Sequence, residues 1–124
     1  MQLKSALSSG LIGTWVRDLE NNVMYADESL CELFGLKYSP EGLDPYLFIN
    51  RIHAEDLRES ELRRQRAIDA RHDYEAEYRI VGKSGEVKWV FARGKTEHDE
   101  NGVAVRFAGV VGDITERKKA EQAL

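Results

Sequence analysis

Two small groups of residues in this chain have the types that chemistry requires. Cys31, His53 and Asp56 supply a thiol, an imidazole and a carboxylate, the parts of a nucleophile with its base and orienting group. His53, His72 and His98 supply three imidazoles that could hold a metal ion. The spacing argues against both. Cys31 lies inside the helical pattern Leu30-Cys31-Glu32-Leu33-Phe34, where a small buried thiol packs as an inert hydrophobe. No two of the histidines are four residues apart, and no carboxylate cluster gathers beside them. We expect no catalytic residue and no metal site, with His53 at a helix start, hydrogen-bonded to backbone. An enzyme handling small molecules would have to rely on Cys31 or His53 alone.

Composition narrows the function further. A chain of 124 residues is one domain, long enough to bury about two-thirds of its unfolded surface without staples. The net charge is −4 with both signs interspersed, which lacks the clustered basic face of a nucleic-acid binder. One cysteine can make neither an internal disulfide nor a thiolate zinc cluster, so a reducing cytoplasm is expected. No apolar run approaches the ~20 residues needed to span a bilayer, and Met1 to Gly10 lacks the apolar stretch of a signal peptide. No membrane contact by this stretch is expected.

The elements that would position any site follow from periodicity. Met1 to Ser9 carries Leu3, Ala6 and Leu7 at helical spacing, and Gly10 would end that helix. Leu11–Asp18 and Val23–Ala26 read as strands joined by a turn at Asn21-Asn22. Asp27 is an N-cap for a helix over Glu28–Phe34, which Gly35 stops. Ser39-Pro40 and Asp44-Pro45 mark two short helical turns. A longer, mostly charged helix over Ala54–Ala70 offers only a thin apolar stripe of Leu57, Leu62, Ala67 and Ile68. Three extended runs close the chain: Asp73–Val81, alternating with period two; Glu86–Glu97, apolar on both parities; and Val103–Val111. Gly82-Lys83-Ser84-Gly85 and Asp99-Glu100-Asn101-Gly102 turn the chain between them. Runs of strands and helices without strict alternation predict an α+β fold with an antiparallel sheet.

One ordered set of short motifs fills the last third. It comprises Glu77-Tyr78-Arg79, Lys83-Ser84-Gly85, Trp89-Val90, Asp99 with Gly102, Phe107 with Gly109, and Asp113-Ile114-Thr115-Glu116-Arg117-Lys118. In this order and spacing it resembles the C-terminal half of the PAS sensor family, the PAS fold with its PAC motif found in bacterial sensor histidine kinases. Ile52-His53-Ala54-Glu55-Asp56 is similar to that family's I-H-P-x-D helix start, with alanine in place of proline. The resemblance implies five strands in the spatial order 2-1-5-4-3 with helices covering one face. It divides the chain into a flanking helix over 1–10, the domain over 11–115 and the start of a signalling helix over 116–124. It implies a dimeric, non-enzymatic sensory module coupled to a C-terminal effector domain, of a histidine kinase or else a cyclic-dinucleotide enzyme. A pure interaction module with a filled core is the other function this pattern allows.

The same resemblance frames the expected sites. Trp15, Tyr25, Phe34, Phe48, Tyr78 and Phe107 could line a cavity or simply fill the core. By strand parity the helix-covered face also carries Ile80, Val90, Ala92, Gly109 and Val111, so a ligand would be small and mainly apolar, with Tyr25, Tyr78 and Arg17 as polar handles. The missing side chain of Gly109 is expected to leave room. Haem-binding relatives commonly use a histidine in the long helix, and Ala54–Ala70 has none; His72 falls just past it. Light-sensing flavin relatives use a cysteine on the preceding short helix, and Leu47-Phe48-Ile49-Asn50-Arg51-Ile52 has none. Both cofactors are therefore disfavoured. Trp89 and Phe91 lie on the opposite parity and need a cover, either Leu3 and Leu7 or a second copy of the chain. Asp113-Ile114-Thr115 is the expected signalling junction, capping the exit helix and tying it to the sheet.

Overall fold

The computed structural model describes residues 11–70 and 72–123. The expected N-terminal helix, with Leu3 and Leu7, lies outside them. Strands β1 (Ile12–Asp18) and β2 (Val23–Ala26) lead into helices α1 (Glu28–Phe34), α2 (Tyr46–Ile49) and α3 (Ala54–Ala70). Strands β3 (Tyr74–Val81), β4 (Val87–His98) and β5 (Ala104–Asp113) follow, and α4 (Thr115–Gln122) leaves the sheet. The five strands form one sheet in the order β2-β1-β5-β4-β3, every neighbouring pair antiparallel. No helix among the described residues is long and apolar enough to cross a membrane.

Local chemistry sets the ends of the helices. Asp27 accepts a hydrogen bond from the Leu30 N–H at 2.9 Å and another from the Thr14 hydroxyl at 3.0 Å, which fixes α1 to β1. Gly35 ends α1 at φ 70°, a left-handed conformation that costs glycine nothing. At the start of α3 the His53 Nδ1 accepts from the Glu55 N–H at 3.1 Å, so the imidazole acts as a cap. Asp56 then binds Arg79 of β3 through its backbone N–H, Nε and Nη2 at 2.8, 2.9 and 2.8 Å. The guanidinium hydrogen bonds hold the Asp56 carboxyl below the usual carboxylate range.

Two expectations about these elements need correction. Ser39-Pro40 forms a turn and no helix; the chain instead runs on to Leu43, which exchanges two backbone hydrogen bonds with Met24 at 2.8 Å each. Leu62 is exposed, while Ser60 and Ala67 are buried, with Leu57 and Ile68 beside the core. Leu62 stands five residues after Leu57, about 140° around a helix of 3.6 residues per turn, so it points away from the packed stripe. In the Asp99–Gly102 hairpin, Asp99 organises the loop by accepting the N–H groups of Asn101 and Val103 at 2.8 and 3.0 Å.

The sheet has an inner face under the helices and an outer face. Inner positions on β3 to β5 are Tyr74, Ala76, Tyr78, Ile80, Val90, Ala92, Phe107 and Val111, all buried. Phe107 sits edge-on to both Trp15 and Tyr74, with ring centroids 5.6 and 5.2 Å away. Helices α1 and α2 close over this layer through Phe34 and Phe48, whose centroids are 5.4 Å apart.

Candidate functional site

Between the inner face and the helices lies an apolar cavity with about 50 Å³ of free space. That is room for a few water molecules, well below a typical drug-sized ligand site. Of the residues expected to line it, Trp15, Phe48, Tyr78, Ala92, Phe107 and Val111 do, with Phe34. Ile80 and Val90 are buried on the same face but outside the lining. Tyr25 does not belong to it. Ala26 pairs with Trp15 and Tyr25 pairs with Val16, so Tyr25 points to the outer face and is exposed; Met24 takes its expected place.

Gly109 is also placed differently. It lies in one cross-strand row with Trp15, Gly94 and Tyr74. A Cβ added at Gly109 would sit 2.7 Å from the Trp15 indole, and one at Gly94 would sit 2.9 Å from it. The space that these glycines leave is therefore filled by Trp15 itself. The cavity lies beyond the indole, toward Leu30, Phe48 and Ile52.

Two cations border this apolar space. Arg17 of β1 donates through Nη2 to the Asn22 Oδ1 at 3.2 Å, while its Nε is buried with no hydrogen-bond partner among the described residues. Burial lowers the Arg17 pKa, and the positive charge of Arg64 lowers it further, against opposing contributions from Tyr46 and Asp44. Arg64 of α3 donates to the Ser60 hydroxyl at 3.2 Å and borders the cavity beside Tyr74. Burial raises the pKa of Tyr74, with Arg64 opposing it, and raises that of Tyr78 strongly. Arg17 was legible as a polar handle from strand parity. Arg64 was not, because α3 carries many charges and nothing local marks the one that faces the cavity.

The outer face carries a second arrangement. Trp89 of β4 lies between the Arg79 guanidinium, 5.4 Å from its ring centroid, and the Lys118 ammonium, 4.8 Å away. Phe91 packs against Gly112 and lies 6.0 Å from the Arg93 guanidinium. Both aromatics are half-buried. Among the described residues, Arg79 and α4 lie over Trp89; the expected cover by Leu3 and Leu7 falls outside them. Glu77 of β3 fixes α4 in this position, meeting Arg117 Nη2 at 2.5 Å and Lys118 Nζ at 2.7 Å. The hydrogen bond from Lys118, then that from Arg117, lowers the Glu77 pKa.

Asp113, Ile114 and Thr115 join β5 to α4. The buried Asp113 carboxylate accepts from the Thr115 N–H at 2.9 Å and its hydroxyl at 2.6 Å. The Thr115 Oγ1 in turn accepts from the Trp89 N–H at 3.0 Å, and the Ile114 N–H donates to the Trp89 carbonyl at 2.9 Å. Ile114 is buried. The three residues therefore continue the β4–β5 pairing by one more step before the helix starts. Cavity-lining Ala92 and Val111 are cross-strand partners, and the adjacent same-face pair is Val90 with Asp113.

The chemistry considered first is not assembled. Cys31 is buried, and desolvation followed by Asp27 and Glu28 raises its pKa, which disfavours the reactive thiolate. The described residues contain no group of three or more His, Cys, Asp or Glu that could hold a metal.

Residues 23–111 match the family model described as PAS fold. The chain is 30% identical over 99% of its length to the methyl sulfide methyltransferase-associated sensor of Methanosarcina acetivorans, of which it spans 12%. It is 30% identical over 97% of its length to the blue-light-activated histidine kinase of Brucella anthropi, of which it spans 24%. It therefore corresponds to less than a quarter of either relative. Among solved structures it resembles a sensory box histidine kinase/response regulator from Burkholderia thailandensis, with a TM-score of 0.79 at 24% identity, covering 99% of this chain and 92% of that one. At that identity the likeness speaks for the fold.

Proposed function

Because the chain belongs to the PAS-fold family, whose members are sensory modules and not catalysts, we propose that it reports the state of its inner cavity to an effector through Asp113-Ile114-Thr115. One observation carries the reading: the Ala92–Val111 pair at the cavity stands one same-face step along the ladder from the Val90–Asp113 pair at the junction. Two residues of strand span about 7 Å. A ligand that spreads β4 and β5 there acts directly on the residues that start α4. The effector is C-terminal, in a cytoplasmic sensor histidine kinase that works as a dimer. The sensor kinases among the relatives support this parent class. The test is effector activity of the full-length protein with and without its signal. Asp113→Ala removes both hydrogen bonds to Thr115 and is expected to leave the domain folded and the effector fixed in one state. A normal signal response from that variant would reduce the junction to a linker.

The lining also bears on cofactors. Among the described residues no histidine or cysteine lines the cavity, His72 is exposed, and Cys31 lies outside it. These residues do not fit an axially ligated haem or a flavin that forms a thiol adduct. A small, mainly apolar ligand fits the lining better. A second reading, an interaction module with a filled core, has one observation in its favour: Trp15 occupies the space over Gly94 and Gly109. Mass spectrometry of gently purified protein separates the two, since a co-purified small molecule supports sensing.

A further inference from the structure

The cavity brings together an apolar wall and two guanidinium groups without a carboxylate. Arg64 raises the cost of the Arg17 charge, and neither arginine forms an ion pair among the described residues. Other arginines of the sheet and helices meet carboxylates, Arg79 with Asp56 and Glu55, Arg63 with Glu59, Arg106 with Glu97 and Arg117 with Glu77, but none of these borders the cavity. The Nε of Arg17 is buried and has no hydrogen-bond partner among the described residues. A buried donor on a cation carries its full desolvation cost until an acceptor arrives. Two like charges bordering one space compound that cost, and a single anion relieves it at both.

From this geometry we infer that the cavity takes a short-chain organic carboxylate, its head group held by Arg17 and Arg64 and its hydrocarbon body packed against Trp15, Phe48 and Ile52. The inference deepens the sensory reading and rests on it. Arginine binds a carboxylate through paired, charge-assisted hydrogen bonds, which an amide or alcohol of the same length cannot match. The body must be short, because the free space admits only a few heavy atoms. It must be apolar, because Leu30, Phe34 and Phe107 complete the wall. Inorganic phosphate satisfies the cations but leaves that wall without a contact.

The experiment is an NMR titration of the 124-residue chain with butanoate, butanamide, butan-1-ol and inorganic phosphate. It follows the Ala92 and Val111 methyl groups and the Arg17 Nε–H. Butanoate is expected to shift all three and to bind at least about tenfold more tightly than butanamide or butan-1-ol, the value of a lost charge-assisted bond. Phosphate is expected to leave the Ala92 and Val111 methyl groups unmoved. Arg17→Gln and Arg64→Gln should each weaken butanoate about tenfold while the amide spectrum away from the cavity stays that of the parent. Should either variant fail to fold, the butanoate-to-butanamide ratio in the parent chain still decides. Equal binding of the neutral analogues, undiminished binding by both variants, or no butanoate binding up to its solubility would each overturn the carboxylate assignment. None of these results touches the sensory reading, which is tested separately by the signal response of the full-length protein.

Discussion

The two faces of the sheet treat positive charge in opposite ways. On the outer face Arg79, Arg117 and Lys118 each meet a carboxylate, and Arg79 and Lys118 also flank the Trp89 ring. On the inner face Arg17 and Arg64 border an apolar cavity and, among the described residues, their hydrogen bonds go to neutral side chains, Asn22 and Ser60. The difference separates a surface that is complete in itself from one that is completed by something else. Paired charges on the outer face hold α4 in place; unpaired ones on the inner face are what a ligand can change.

The largest test of this contrast compares the two tryptophans. Trp15 is 5% exposed and fills the space over two glycines, so Trp15→Ala should cost about 3–5 kcal/mol. Trp89 is only half-buried between two cations, and Trp89→Ala should cost about 1–2 kcal/mol. Urea melts of the two variants give the order. Equal losses would mean that α4 buries as much as the whole helical layer does.

Next in size is the pair that joins α3 to β3. Asp56→Ala strands the Arg79 side chain, and a loss of about 2 kcal/mol is expected in the same melts. Since the folded Asp56 pKa is lowered, this contribution is present above the ordinary carboxylate pKa and is lost as pH falls through the lowered value. Acid melts of the parent chain should therefore converge on those of Asp56→Ala. The Glu77 contacts follow the same sign. As pH drops below the ordinary value of 4.5 and through the lowered one, Glu77 releases Arg117 and Lys118, and α4 loses its hold on Trp89. Glu77 is 39% exposed at its side chain, so solvent screening keeps the effect below about 1 kcal/mol. Trp89 fluorescence against pH should show this transition in a Trp15→Phe chain and not in the same chain with Glu77→Gln.

The smallest expected effect sharpens the comparison most. Arg17→Met keeps the apolar stem and removes a desolvated cation, so the unliganded chain should change by no more than about 0.5 kcal/mol. A loss as large as that of Asp56→Ala would show that Arg17 already has a strong partner.

Most of this architecture was legible where local chemistry decides it. Asp27 and Gly35 bound α1 on their own, and the long charged run gave α3 its observed limits. Alternation in β3 and the two-sided apolar pattern of β4 assigned Tyr78 and Ala92 to the inner face. The failures share a cause: the deciding partner is remote in sequence. β2 is four residues long, too short for parity to be read alone, and only its pairing with β1 turns Tyr25 outward. The room at Gly109 vanished because Trp15, far away in the chain, lies across it. Ser60 and Arg64 carry no local mark of burial or of facing a cavity. The place of α4 over Trp89 is set by Glu77, forty residues before Arg117, and no local pattern marks that contact.

The central claim is that a change at Ala92 and Val111 reaches α4 through the Asp113 step of the ladder. Amide hydrogen exchange at Lys118, whose N–H bonds to the Ile114 carbonyl at 3.0 Å, reads it at the far end. It should be measured in the parent chain, in Ala92→Leu, which fills the cavity, and in Ala92→Leu with Asp113→Ala, against Asp113→Ala alone. The account predicts that Ala92→Leu alters exchange at Lys118 in the parent background and leaves it unaltered once Asp113 is alanine. Unchanged Lys118 exchange in a folded Ala92→Leu chain would contradict it.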